Sequence, residues 1–193
     1  MSHADEPVTV LLVSGSLRAE STNSAVLRTA AALVPEGVEA VIYHGLGDLP
    51  HFNPDDDAEG HPVHTAVAAM RSAVASADAL LICTPEYAGA LPGALKNLLE
   101  WTIGDAGTHK KPVAWINAAG PAAPSGAADA HASLRKVFGY AGADVVDEAC
   151  RRMPISRQAL DPDGRIDDLE ACCAIRSTLQ ALAAHVRRRP GAD

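Results

Sequence analysis

Apolar and polar positions fall into alternating blocks along this chain, and the period changes from block to block. Val8-Thr9-Val10-Leu11-Leu12-Val13 is one continuous apolar, β-branched run. That is the pattern of a strand covered on both faces. A polar loop follows over 14–22. Across 23–33, Ala25, Val26, Ala30 and Leu33 recur near helical spacing, and Pro35-Glu36-Gly37 stops the helix. The pattern then predicts a strand over 39–43, a Gly-, Pro- and Asp-rich loop over 45–60, and a helix from 61 or 63 to 76. A third strand spans 79–84. After a short loop over 85–90, Pro92 suits the first turn of a helix over 92–103, whose apolar face is Leu91, Leu95, Leu98 and Leu99. A fourth strand covers 112–118, a loop rich in Ala, Gly and Pro runs to 126, and a helix spans 127–140. Val145-Val146 marks a short fifth strand, 151–164 reads as irregular, and a last helix fills 167–188.

Strands that alternate with helices predict an α/β domain with a parallel sheet. Five strands in one domain of this length suit the doubly wound, flavodoxin-like order 2-1-3-4-5, a three-layer αβα arrangement. A dinucleotide-binding Rossmann fold is the alternative. It requires G-x-G-x-x-G after the first strand, and Ser14-Gly15-Ser16-Leu17-Arg18 does not supply it. There is neither a repeat nor a linker, so residues 1–193 form one domain, with tails at about 1–7 and 189–193.

Composition narrows the function classes. The 193 residues include 38 Ala but only two Trp, three Tyr and two Phe. The core therefore rests on Leu, Val, Ile and Ala, and a groove lined by aromatic rings is not expected. The net charge of −8 argues against a general nucleic-acid binder, which would carry a basic face. No apolar run approaches the about 18 residues of a membrane span. The polar, acidic start Met1-Ser2-His3-Ala4-Asp5-Glu6-Pro7 has no signal-peptide pattern, and Cys83, Cys150, Cys172 and Cys173 form no CxxC. The expectation is a cytoplasmic protein with reduced thiols. His61 and His64 lack enough neighbouring ligands for a metal site, Asp55-Asp56-Asp57 reads as a solvated loop, and Arg187-Arg188-Arg189 complements a helix end.

In open parallel sheets the ligand lies beyond the carboxyl ends of the strands, where strand order reverses. In the 2-1-3-4-5 order that point lies between the first and third strands, so the loops after Val13 and Thr84 share one ligand and the loop after Ala118 flanks it. The first loop, 14–24, holds five hydroxyls, Ser14, Ser16, Ser21, Thr22 and Ser24, with Arg18 just before a helix. Helix N-terminal amides, hydroxyls and a guanidinium together make a phosphate site. It is not a Walker loop, and Thr22 or Asn23 can also serve simply as a helix cap. The second loop, Pro85-Glu86-Tyr87-Ala88-Gly89, is short and sets one aromatic at the reversal point. A flat heterocycle can rest against it. Glu86 is open to two readings, a general base or a structural, capping carboxylate. The third loop, 119–126, is placed to close over a ligand.

Those residues carry a resemblance. Ser14-Gly15-Ser16-Leu17-Arg18 with 21–24, followed by Pro85-Glu86-Tyr87-Ala88-Gly89-Ala90-Leu91-Pro92-Gly93-Ala94-Leu95-Lys96-Asn97-Leu98-Leu99-Glu100-Trp101, resembles the NADPH-dependent FMN reductase family. That family includes quinone, chromate and azo-dye reductases of flavodoxin-like fold. The resemblance implies FMN bound non-covalently, with NADPH or NADH as cosubstrate. Ser14, Ser16, Arg18, Thr22, Asn23 and Ser24 would lie around the phosphate, and Pro85, Glu86, Tyr87 and Gly89 along the isoalloxazine. Gly120 and Ser125 are further contacts, although Pro121 and Pro124 stand where relatives often carry a Gly-rich stretch. It also implies a ping-pong cycle to a small acceptor (flavin, quinone, azo dye or chromate), with no obligatory acid or base. A homodimer or dimer of dimers is implied, with the helix over 92–103 near the interface. A flavodoxin-type electron carrier is the alternative, disfavoured by the lack of a second stacking ring; an interaction module without flavin is a third reading.

Overall fold

The computed structural model describes residues 6–120 and 125–189. Its strands are β1 (Val8–Ser14), β2 (Val38–Tyr43), β3 (Ala79–Cys83), β4 (Pro112–Ala119), β5 (Asp144–Val145) and β6 (Arg151–Pro154). The helices are α1 (Thr22–Ala32), α2 (Thr65–Ser76), α3 (Gly93–Trp101), α4 (Ala128–Ala141) and α5 (Leu169–Arg188). All strand pairs are parallel, in the order β2-β1-β3-β4, with β5 and β6 both on the far side of β4. The order reverses between β1 and β3, where the alternation of elements places it.

The fifth position differs from the sequence reading. It is occupied in two pieces, β5 on Pro112 and Val113 and β6 on the stretch from Ile116 to Ala119, separated by a 3₁₀ turn over Asp147–Ala149. The segment from 151 on is thus partly a strand, and the sheet has six strands instead of five. The reason is physical. Among Arg151–Pro154 only Met153 is buried, so no apolar alternation marks the strand. An edge strand bonds on one side only and therefore tolerates Pro154.

Two apolar layers cover the sheet. On one face, Leu12, Leu81 and Ile116 meet Val26 and Leu27 of α1 and Ile175, Leu179 and Leu182 of α5. On the other, Leu11, Ile82 and Trp115 meet Met70 of α2, Leu95 and Leu98 of α3, and Leu134 and Phe138 of α4. Fully burying each such Leu, Ile or Phe side chain stabilises the fold by roughly 1.5–3 kcal/mol. Ala25 and Ala30 are fully buried and let α1 lie close on the strands. Helix α3 buries Leu95, Leu98, Leu99 and Trp101 within its own chain. The Trp101 indole donates to the Pro50 carbonyl at 2.9 Å, Asn97 Nδ2 donates to the same oxygen, and Asn97 Oδ1 accepts from Phe52 N at 2.7 Å. The apolar face of α3 is therefore occupied by the 49–52 loop and the sheet.

Candidate functional site

The first wall of the site follows from one close approach. Gly15 N donates to the Cys83 carbonyl at 2.8 Å and extends the β1–β3 ladder by a residue. A Cβ on Gly15 would lie 2.3 Å from Thr84 Oγ1 and 2.7 Å from Thr84 Cβ, so only glycine fits. Beyond it the loop braces itself. Ser14 Oγ accepts from Ser16 N and lies 3.2 Å from Ser24 Oγ, and Ser16 Oγ accepts from Arg18 N at 3.3 Å. Ser21 Oγ accepts from Asn23 N and caps α1. Asn23 Oδ1 accepts from Ala118 N and from the Cys83 thiol, each at 3.3 Å, and so ties α1 to β3 and β4. Burial pushes the Cys83 thiol far up, which keeps it a donor in that bond.

The second wall is the turn after β3. Thr84 N donates to the Ile116 carbonyl at 3.2 Å, and Asn117 Nδ2 donates to the Thr84 carbonyl, so the chain is held from both sides just before Pro85. Tyr87 and Ala90 then exchange two backbone bonds of 3.0 Å across Ala88 and Gly89, whose φ values are 51° and 70°. Two left-handed residues give the tight hairpin twist. Tyr87 stands 46% exposed at its edge.

These walls enclose a cleft of about 410 Å³ at the carboxyl ends of the strands. Of the residues expected around the ligand, Arg18, Thr22, Asn23, Pro85, Tyr87 and Gly120 line it together. Among the described residues, a Cβ on Gly120 would meet nothing within 4 Å. Ser14, Ser16 and Ser24 instead line a neighbouring cavity, also of about 410 Å³, on the β2 side of the same loop; Arg18 borders both. Glu86, Gly89 and Ser125 line neither. The Glu86 carboxylate accepts from Ser125 Oγ and, at 3.0 Å each, from Asp129 N and Ala130 N at the start of α4. The Ser125 bond, aided by those two amides, holds its carboxyl below the usual range despite partial desolvation. Residues 121–124, with Pro121 and Pro124, lie outside the described residues.

Ser21, one of the five hydroxyls of the first loop, also lines the cleft, together with Ala118, Ile155 and Ser156, which the sequence reading does not place at the ligand. Ser21 carries a visible signal, a hydroxyl one residue before the helix. Ile155 and Ser156 carry none, because β6 brings them there and its pattern does not read as a strand.

The donor set suits the phosphate end of a flavin mononucleotide. The amides of the first turn of α1 have no intrahelical partners and favour an anion, Thr22 adds a hydroxyl, and Arg18 adds the charge. The volume lies within the range of about 300–1,000 Å³ typical of small-molecule sites. Among the described residues no cluster of three or more His, Cys, Asp or Glu could hold a metal ion.

The comparisons with known proteins agree with this chemistry. The NADPH-dependent FMN reductase family matches residues 8–154. An NAD(P)H-dependent FMN reductase of Pseudomonas aeruginosa is 35% identical over 188 residues, covering 96% of this chain and 99% of the relative. A 2-hydroxy-1,4-benzoquinone reductase of a Burkholderia species is 30% identical over 183 residues, covering 93% and 97%. The solved structure of FerB, a flavoenzyme NAD(P)H:(acceptor) oxidoreductase from Paracoccus denitrificans, superposes with a TM-score of 0.74 at 28% identity, covering 94% of this chain and 98% of FerB. The family's match spans every strand and the whole cleft except Ile155 and Ser156, and this chain belongs to the NADPH-dependent FMN reductase family of oxidoreductases.

Proposed function

We propose that the protein transfers reducing equivalents from NADPH or NADH to a small acceptor, in two half-reactions that use FMN held in the cleft beyond β1, β3 and β4. The observation that carries the reading is the convergence of the α1 N-terminus, Thr22 and Arg18 with the Pro85–Tyr87 edge around one cleft. When bound, FMN would supply the two-electron redox chemistry that links the nicotinamide to the acceptor. The chain's residues bind and orient. Arg18 and the α1 amides hold the phosphate. Ser14, Ser16 and Ser24 shape that loop from behind, and Asn23 fixes the helix against β3 and β4. Pro85 and Tyr87 border the ring, with Gly120 opposite.

A quinone is the acceptor best supported, from the benzoquinone reductase among the relatives, followed by free flavin; azo dyes and chromate are the other acceptors to try. We further propose that the protein acts as a homodimer or dimer of dimers in the cytoplasm. Its four cysteines are unbridged. No helix among the described residues is long and apolar enough to cross a membrane. Any contact made by α3 uses its outer side, because its apolar side is covered within the chain.

The test is a flavin titration followed by steady-state kinetics. Wild-type protein takes up FMN and oxidises NADPH with a quinone, and double-reciprocal plots at several quinone concentrations are parallel. Arg18→Ala weakens FMN binding by about tenfold to a hundredfold, since a bond to a charged group contributes about 1.5–3 kcal/mol. Unchanged FMN affinity in that variant would refute the phosphate assignment. FMN uptake without NADPH turnover would favour the electron carrier.

A further inference from the structure

Glu86 sits in the middle of the turn after β3, yet its side chain leaves the cleft and reaches a segment about forty residues on. Its carboxylate joins that turn to Ser125 and to the first turn of α4 by three hydrogen bonds. Helix α4 needs this partner. Its cap residue, Ala127, lies in the left-handed region at φ 68° and has no side-chain oxygen to offer the first-turn amides. Ser125 Oγ, besides donating to Glu86, accepts from Ala127 N at 3.2 Å. The turn that carries Tyr87 is held at its base by Asn117 and across its tip by its own two backbone bonds. Neither tie fixes it sideways. Glu86 supplies a lateral tie, toward the segment that follows Gly120.

We propose that Glu86 is a positioning residue: its bonds to Ser125, Asp129 and Ala130 set the spacing between the Pro85–Tyr87 wall of the cleft and the start of α4, and it contributes to FMN affinity through that spacing without touching the flavin. The proposal rests on the flavin reading of the cleft. It also predicts that a neutral amide can replace the carboxylate. A glutamine oxygen accepts from the two α4 amides, while its NH₂ donates to Ser125 Oγ.

The test compares three variants of the full chain. Glu86→Ala raises the FMN dissociation constant, read by quenching of flavin fluorescence, by about tenfold, because all three bonds are lost. Glu86→Gln restores the affinity to within about threefold of wild type. Asp168→Ala removes a comparable helix cap, the Asp168 Oδ1 bond to Ala171 N in α5, and leaves FMN affinity unchanged at a similar loss of thermal stability. In the apoprotein, hydrogen exchange of 85–91 and of 125–130 accelerates together in Glu86→Ala alone. Wild-type FMN affinity in Glu86→Ala, or no rescue by Glu86→Gln, overturns the proposal. If wild-type protein takes up no FMN, the flavin reading falls, and exchange at 85–91 that is unchanged by Glu86→Ala refutes the tie independently.

Discussion

Adding one methyl group at two glycines of this chain has opposite consequences. At Gly15 the new Cβ would stand 2.3 Å from Thr84 Oγ1, 2.7 Å from Thr84 Cβ and 3.0 Å from Leu95 Cδ2. The hydroxyl can rotate away, but Thr84 Cβ cannot. Thr84 is fully buried, with its N–H bonded to Ile116 and its carbonyl to Asn117. The backbone of the 14–18 loop has to move instead. Overpacking of this kind costs about 1–3 kcal/mol, and the rigidity of both neighbours puts Gly15→Ala near the upper end, about 3 kcal/mol. For a domain of this size that lowers Tm by roughly 6–12 °C. The loop displaced is the one that carries Arg18, so FMN affinity falls as well. At Gly139, exposed on α4, a Cβ would meet nothing within 4 Å. Gly139→Ala removes backbone entropy from a helix interior and stabilises by about 0.5–1 kcal/mol, raising Tm by roughly 1–4 °C. Thermal unfolding of the two variants beside wild type, with FMN titrations on each, reads both effects. Equal shifts of the same sign, or a Gly15→Ala protein with wild-type Tm and FMN affinity, would show that the contact with Thr84 does not shape the site.

Two further outcomes follow from groups away from the cleft. Arg28 donates through Nε and Nη2 to the Gly164 carbonyl at 3.0 and 2.7 Å, and the adjacent Thr29 Oγ1 accepts from Ile166 N at 2.8 Å. These bonds fasten 160–166 across α1, so Arg28→Ala lowers stability by about 1–2 kcal/mol in chemical denaturation and increases proteolysis within that segment. A wild-type denaturation midpoint would refute this. His131 packs edge-on against Trp115. Burial first, then Arg152 and Arg135, push its pKa below the ordinary value, against a bond to the Arg151 backbone that acts the other way. The unfolded chain therefore binds the proton more readily. The stability associated with neutral His131 is fully present above pH about 6.5 and is lost as pH falls toward the folded-state value. In a pH series of Tm, His131→Gln flattens this part of the acid-side slope; an unchanged slope would show that other groups cause it.

How much of the fold could be read in advance depended on how each element earns its burial. Strands β1, β3 and β4 are covered on both faces and appear as mostly apolar runs, so the sheet and its reversal point are legible. Strand β6 rests one side chain in the core and shows two arginines and a proline to the reader, so neither the strand nor the Ile155 and Ser156 it delivers to the cleft left a sign. The apolar face of α3 was legible, but its cover was not. That cover is the Pro50 carbonyl and the Phe52 ring, in a loop whose composition says only that it turns. The hydroxyl-rich loop announced an anion site, whereas its division into a front cleft and a rear cavity depends on which way each serine faces. Glu86 was visible as a carboxylate among turn residues, but its partners lie far along the chain, beyond the reach of local pattern.

The break between β5 and β6 separates two tasks along one edge of the sheet. The Asp144–Val145 piece closes the bottom of β4, while the Arg151–Pro154 piece leads straight into the cleft wall. Each pairs with β4 through its own short register, and the Asp147–Ala149 turn between them lies outside the ladder. That turn is itself anchored, because Ala149 is fully buried in the core and Asp147 and Glu148 pair with Arg135 and Arg188. The edge thus divides its labour: the lower piece closes the sheet beside Pro112 and Val113, and the upper piece carries Ile155 and Ser156 to the cleft.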